Sequence, residues 1–352
     1  MSTLKAGRWA APVWWSICLA GLLWHCDKTW AFGPQGHQLT ADVATQLIQS
    51  SRAERETAKL LGPITLRDIA VWADCAKGVG PPPKFSYTAS QRRPECAVFE
   101  TPAEIALMRD YVRRNLDNCQ PLDGNEPCHK QYHYADLALQ RQRYRRGLTG
   151  TSDHDVVAAL QAAIQVLRGQ PSPAPFKLNS RREALALMAH LAGDIHQPLH
   201  VAAIYLDAQG QRLDPDALGL RGQALAAVSN RGGNAITLPD GNLHAYWDLA
   251  PRLLTLQDLA ALPALARQIP ADTGPMSQWP PHWADESVHV AGEIFSGLHF
   301  SARSMGPKGP QWAGKLPDDD AQRSHELTRL QLARAGARLA ELLLALWPDD
   351  SP

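Results

Sequence analysis

His190-Leu191-Ala192-Gly193-Asp194-Ile195-His196-Gln197-Pro198-Leu199-His200 places three imidazoles and a carboxylate within one short stretch. Apolar residues recur at three- and four-residue intervals through 181–196, so the stretch lies at the end of an expected helix. Residues four apart on a helix share a face, and His190 and Asp194 can therefore hold one cation between them. At 3.6 residues per turn, His196 lies about 240° around from His190 and points away. Pro198 ends the helix near residue 196, which frees His200 to turn back toward Asp194.

The same spacing recurs in His244-Ala245-Tyr246-Trp247-Asp248, just after Asn242. The remaining candidates are His37, Asp74 in Val71-Trp72-Ala73-Asp74, and His133 in Tyr132-His133-Tyr134-Ala135-Asp136. Each piece alone is weak, because a lone helical histidine more often satisfies a core hydrogen bond and an isolated HxxxD is usually a surface pair. Together they supply His37, His133, His190, His200 and His244 with Asp74, Asp194 and Asp248. That imidazole–carboxylate set suits zinc and is too large for one tetrahedral ion, and a free α-amine could add a ninth ligand. The sum points to a multinuclear zinc site inside a helical bundle.

The rest of the chain supports that setting. Helical periodicity also covers 38–50, 53–61, 64–77, 102–117, 153–168, 255–268, 282–299 and 318–347. Ser152-Asp153 and Thr101-Pro102-Ala103-Glu104 read as helix starts, the second with Glu104 closing a capping box. Only 234–238 alternates like a strand, while 78–85, 169–176, 206–234 and 303–316 read as Gly/Pro-rich loops. The expectation is all-α: a single helical bundle-like domain enclosing the multinuclear zinc site, from about residue 32 to the end of the chain. Of the 352 residues, 45% are hydrophobic, which excludes disorder, and 25 Gly and 27 Pro without a period exclude a collagen-like chain. With 35 basic and 35 acidic residues, a broad basic surface for nucleic acid is excluded, so anything that attracts phosphate must do so locally.

Residues 1–31 read as a secretory signal. Lys5 and Arg8 precede an apolar run from Trp9 to Trp24, and Thr29-Trp30-Ala31 offers small residues for cleavage before Phe32. An uncleaved anchor helix is the competing reading, but the run is short for a membrane span and contains Pro12. Leu23-Trp24-His25 lacks the small residues expected before a lipidated Cys26. The expectation is a secreted or periplasmic protein, unanchored after cleavage, with 32 basic and 34 acidic residues. Cys75, Cys96, Cys119 and Cys128 remain, an even set that reads as two disulfides. Four cysteines allow three pairings; sequence proximity favours 75–96 and 119–128.

These residues resemble the zinc-dependent single-strand-specific nucleases of the S1/P1 type, distant relatives of the trinuclear-zinc phospholipases C. The matching pieces are Phe32-Gly33-Pro34-Gln35-Gly36-His37, Trp72-Ala73-Asp74, His133-Tyr134-x-Asp136, the 190–200 string, Gly232-Gly233-Asn234 and Asn242-Leu243-His244-x2-Trp247-Asp248. Trp283-Ala284-x-Glu286-Ser287 and the 325–346 helix extend the likeness across nearly the whole chain after residue 31.

The resemblance implies three zinc ions. One would take Asp74, His133, His190 and Asp194, and a second His200, His244 and Asp248. The third would take His37, Asp194 and the amine and carbonyl of Phe32, where the family usually begins with Trp. Cleavage thereby gains a chemical meaning, since an uncleaved amide nitrogen cannot be a ligand. The implied reaction is hydrolysis of single-stranded DNA and RNA to 5′-phosphate products, with 3′-nucleotidase activity, by a zinc-activated hydroxide that Asp74 orients. Tyr134, Asp136 and Asn234 match the family's base pocket, although Tyr134 and Asn234 could equally pack their loops. Arg231 replaces what is often an apolar pocket residue. His196 reads as a helix-end hydrogen bond. A monomer with no stable protein partner is implied. Two rivals are weighed: a zinc-dependent phospholipase C acting on lipid head groups, and a non-catalytic zinc domain. The first usually ends its last motif in Glu, where this chain has Asp248. The second would need closed four-ligand sites, whereas the His200, His244 and Asp248 set has only three.

Overall fold

The computed structural model describes residues 32–87, 93–119 and 126–349; the expected signal segment 1–31 lies outside them. Among the described residues thirteen α-helices follow in order: α1 Gly33–Leu47, α2 Arg52–Leu61, α3 Leu66–Ile69, α4 Trp72–Ala76, α5 Pro102–Arg114, α6 Cys128–Gln131, α7 Val156–Leu167, α8 Arg181–Asp194, α9 Gly222–Ala226, α10 Leu243–Leu249, α11 Leu256–Ala266, α12 Trp279–Phe295 and α13 Asp320–Leu346. Helix accounts for about 52% and strand for 9%, so the mostly helical expectation holds.

α8 is the structural centre. Every residue from Ala184 to Asp194 is buried, as expected of a helix apolar on all sides, and α7, α13, α1 and α4 pack around it. One hydrophobic cluster runs from Ala41 to Trp347. A second gathers Phe32, Val43, Leu254, Leu262, Ala266, Leu332 and Ala333. The Phe32 ring is thus anchored under α11 and α13, at the head of the helix that carries His37.

Local chemistry shifted several expected boundaries. The 64–77 segment breaks into α3 and α4, and Ala70 at the break accepts a hydrogen bond from His190 through its carbonyl. α7 starts at Val156 rather than at Ser152-Asp153, because the Asp155 carboxylate accepts from both Val157 and Ala158 amides. Thr101 caps α5 through the Glu104 amide, yet Glu104 does not close a capping box; it pairs with Arg182 of α8 at 2.8 Å.

The loops expected over 206–234 and 303–316 were the larger miss. They contain short strands Arg212–Leu213 and Ser304–Gly306, the helix α9 and a seven-residue strand Gly309–Lys315. This last strand pairs in parallel with Ile236–Leu238 and antiparallel with His299–Phe300 and Ser304–Gly306, and Ile236–Leu238 pairs antiparallel with Gly241–Asn242. Glycine and proline hide these strands from a periodicity reading. The buried Trp312 anchors the sheet instead, with its backbone nitrogen on Ala235 and its ring N–H on the Asp207 carbonyl.

Both expected disulfides form. Cys75–Cys96 joins α4 to the 3-10 turn Pro94–Phe99, and Cys119–Cys128 joins the segment after α5 to α6. Two disulfides fit an oxidising, extracytoplasmic setting. Among the described residues, no helix is long and apolar enough to cross a membrane.

Candidate metal centre

Six separate pieces of backbone converge here. α1 brings His37, α4 Asp74, the turn after α6 His133, α8 His190 and Asp194, the 3-10 turn Pro198–His200 brings His200, and α10 His244 and Asp248. They form three groups whose candidate ligand atoms lie within 4.8 Å of one another: His37 with His190 and Asp194; Asp74 with His133 and His190; His200 with His244 and Asp248. All eight side chains are buried, His37, His190 and Asp194 completely.

Asp194 links the groups. Its Oδ2 lies 2.9 Å from His133 Nδ1 and 3.2 Å from His190 Nε2, and its Oδ1 lies 3.5 Å from His37 Nε2 and 3.7 Å from His200 Nδ1. His37 stacks on His190 with ring centroids 3.8 Å apart. Gly193 makes that approach feasible, since a Cβ there would lie 2.6 Å from His37 Nδ1.

Backbone carbonyls set the histidine tautomers. His190 donates from Nδ1 to Ala70 at 2.7 Å, His200 from Nδ1 to His133 at 2.8 Å, and His244 from Nδ1 to Gly232 at 2.7 Å. A carbonyl only accepts, so each ring carries a proton on Nδ1 and turns Nε2 inward. His190 Nε2 thereby faces His133 Nδ1 at 3.0 Å as well as Asp194. Gly232 holds its carbonyl in place from a left-handed turn, φ 55°, so close to α8's exit that a Cβ would meet the Leu199 carbonyl at 2.1 Å.

The cluster fits metal ions on its own evidence. Both His37 ring nitrogens, His200 Nε2, Asp194 Oδ1 and Asp74 Oδ2 are buried without a hydrogen-bond partner. Orphaned buried polar atoms cost about 1–3 kcal/mol each, and a shared cation removes that cost. Burial, with the charge of nearby His190, holds His37 at a pKa of about 3; burial and Lys77 do the same for His133, and burial and His200 for His244. Neutral imidazoles are what a metal needs as ligands. At Asp194 burial is outweighed by His190 and His133, which hold the carboxyl well below its ordinary range, and at Asp74 burial is outweighed by Lys77 and His190.

Two contributors escaped the sequence reading. Gln197 donates from Nε2 to Asp248 Oδ1 at 2.8 Å and accepts the Leu199 amide, tying the turn after α8 to α10. Lys77 Nζ lies 2.8 Å from Asp74 Oδ1, one helical turn on. A buried glutamine inside a ligand string and a lysine three residues after a ligand are the signals available in sequence. His196 turns away as expected, with Nδ1 on the Ala192 carbonyl and its ring beside Trp283.

The expected substrate residues flank the cluster on two loops. Tyr134 and Asp136 adjoin His133; the Tyr134 hydroxyl reaches Glu126 at 2.6 Å, and the Asp136 carbonyl accepts from Tyr205. Asn234 closes the Arg231–Asn234 turn through Nδ2 on the Arg231 carbonyl at 3.0 Å, and its buried Oδ1 has no hydrogen-bond partner. Phe32 sits one turn before His37, its carbonyl accepting the Gly36 amide at 2.9 Å.

Among curated proteins none matches the chain. The model of the S1/P1 nuclease family matches residues 32–347, a span that takes in all three groups and runs from the head of α1 to the end of α13. The chain belongs to the S1/P1 nuclease family, metal-dependent phosphodiesterases that act on nucleic acids.

Proposed function

We propose that residues 32–352 work as one exported nuclease domain, freed from residues 1–31, that cuts single-stranded DNA and RNA to 5′-phosphate products and removes phosphate from 3′-nucleotides. The observation that carries this reading is Asp194, one oxygen toward His133 and His190 and the other toward His37 and His200, in a chain of this family. The donor set suits three zinc ions. Asp74, His133, His190 and Asp194 would hold one, His200, His244 and Asp248 a second, and His37, Asp194 and the processed Phe32 backbone the third. Bound zinc supplies Lewis acidity toward the phosphodiester and makes water acidic near neutral pH.

The chain's own groups do the rest. Asp74, kept ionised by Lys77 and His190 despite its burial, orients the water that attacks phosphorus. Tyr134 offers a ring face to a splayed base, and Asp136 and Asn234 offer polar groups to its edge. The preference for single strands follows from burial: the ligand residues are 5% exposed or less, and a stiff duplex cannot deliver its backbone and an unstacked base together. The protein acts as a monomer, secreted or periplasmic.

Digestion of matched single-stranded and duplex DNA, before and after chelation, tests the reading. The expected outcome is fast cleavage of the single strand, 5′-phosphate ends, loss of activity on chelation and its return with zinc. Equal cleavage of the duplex, or digestion that survives complete metal removal, contradicts it. Phospholipid hydrolysis without nucleic-acid cleavage would make the protein a phospholipase C.

A further inference from the structure

At the end of α8 the chain leaves the helix to bring His200 back toward Asp194, and the backbone carbonyls of the turn need new donors. Leu191 accepts the Ile195 amide, Ala192 the His196 ring, Gly193 the His196 amide and Asp194 the Gln197 amide. A continuing helix would next send the Leu199 and His200 amides to the Ile195 and His196 carbonyls. Both amides go elsewhere: Leu199 donates to the Gln197 side chain at 2.6 Å, and His200 to the Gln197 carbonyl at 2.9 Å. Ile195 and His196 are completely buried, so their carbonyls depend on donors from the protein. Two side chains supply them. Ser287 of α12 donates from Oγ to the Ile195 carbonyl at 2.6 Å, and Gln331 of α13 donates from Nε2 to the His196 carbonyl at 2.7 Å. Arg334 fixes the glutamine amide by donating to its Oε1 at 2.8 Å. Ser287 and Gln331 are fully buried themselves, on two helices that carry none of the eight candidate ligands.

We propose that Ser287 and Gln331 are positioning residues of the metal centre: they stand in for the two amides that the turn gives up, and so fix His200 relative to Asp194. The inference rests on the zinc-dependent nuclease reading above. His200 Nδ1 lies 3.7 Å from Asp194 Oδ1, although a helix continued from Asp194 would carry His200 six residues on and around to another face. A buried carbonyl without a donor is costly, and the donors a helix would offer are the Leu199 and His200 amides. Their return would rewind the turn and draw His200 off the Asp194 face. Ser287 and Gln331 remove the reason to rewind. Gln331 Nε2 also lies 3.4 Å from Ser287 Oγ, which joins the two donors into one clamp from α12 and α13.

The test measures zinc affinity by competition with a chelator, melting of the chelated protein, and kcat and KM on a single-stranded oligonucleotide at saturating zinc. Ser287→Ala and Gln331→Met each remove one donor and keep most of the side-chain volume. Each is expected to weaken zinc binding about tenfold, the lower end for lost outer-shell partners. At saturating zinc, kcat is expected to fall while KM changes less than about twofold, since neither side chain meets substrate. Ser172→Ala is the control. It deletes a hydroxyl that donates to the Phe176 carbonyl at 2.9 Å in the loop after α7, and it is expected to lower the melting temperature with zinc affinity unchanged. Affinities are compared at a temperature where the chelated variants stay folded, so that unfolding does not enter them. If Gln331→Met does not fold, the smaller change Ser287→Ala decides. Variants that melt lower yet bind zinc like the wild type would make the two residues structural caps only and overturn the proposal, as would a raised KM with unchanged kcat. A wild-type chain that binds no zinc overturns the zinc reading itself, which wild-type affinity in the two variants does not.

Discussion

The two halves of the metal centre are built by different means. The half around His37, His190 and Asp194 is carried by α1 and α8, sealed by helix packing, and completely buried. The half around His200, His244 and Asp248 is carried by a 3-10 turn and a seven-residue helix, and its geometry depends on Gln197, on the Gly232 carbonyl and on the His133 carbonyl. The first half takes its rigidity from the core. The second takes it from hydrogen bonds reaching across loops. One half is thus held by packing and the other by hydrogen bonds, so substitutions should damage the two by different routes.

The largest effect is expected at Asp194, within the first half. Asp194→Asn removes the carboxylate proposed to serve two of the three ions, and activity should fall on the order of 10³-fold, the upper end for a single electrostatic group. Near-normal turnover in that variant would contradict a cluster organised around that carboxylate. Gly232→Ala attacks the second half alone, since the new Cβ collides with the Leu199 carbonyl and shifts the acceptor that orients His244. Metal affinity at that group should drop about 10- to 100-fold, the range for lost outer-shell partners, with the first half still loaded. Uniform loss across all sites in equilibrium dialysis would show that the halves are not separable. The smallest effect concerns the metal-free protein. His37, His133 and His244 have pKa values lowered to about 3, so below their ordinary value of 6.5 the unfolded chain binds more protons than the folded one. Their stability contribution is intact above about 6.5 and is lost as pH falls toward 3. At His190 the burial penalty is outweighed by Asp194 and Asp74, which raise its pKa, and this offsets part of the loss. Melting of the chelated protein should therefore occur at lower temperature at pH 4.5 than at pH 7.5; an equal or higher Tm at pH 4.5 contradicts the burial of neutral imidazoles.

The same division explains what could be read from residue order. His190, Asp194, His244 and Asp248 lie at helical spacing, and Pro198 announces the turn that returns His200, so the side-chain ligands were legible. The parts that orient them were not, because Ala70, His133 and Gly232 contribute carbonyls and any residue has one. Gln197 was visible inside the string but carried no chemistry until Asp248 stood 2.8 Å away. The hairpin of Ser304–Gly306 and Gly309–Lys315 was missed for a related reason: its strands are stabilised by sheet pairing and by buried Trp312, not by an alternating pattern of their own. Gly193 shows the converse. Nothing in its helix requires glycine, and only the His37 ring packed against it does.

Anomalous diffraction from crystals of the processed protein, recorded at the zinc edge, tests the central claim most directly. Three peaks are predicted, one in each His/Asp group, with the two Asp194 oxygens each within about 2.0–2.2 Å of a different ion. A single peak, or an Asp194 that touches one ion only, would contradict a cluster organised around that carboxylate.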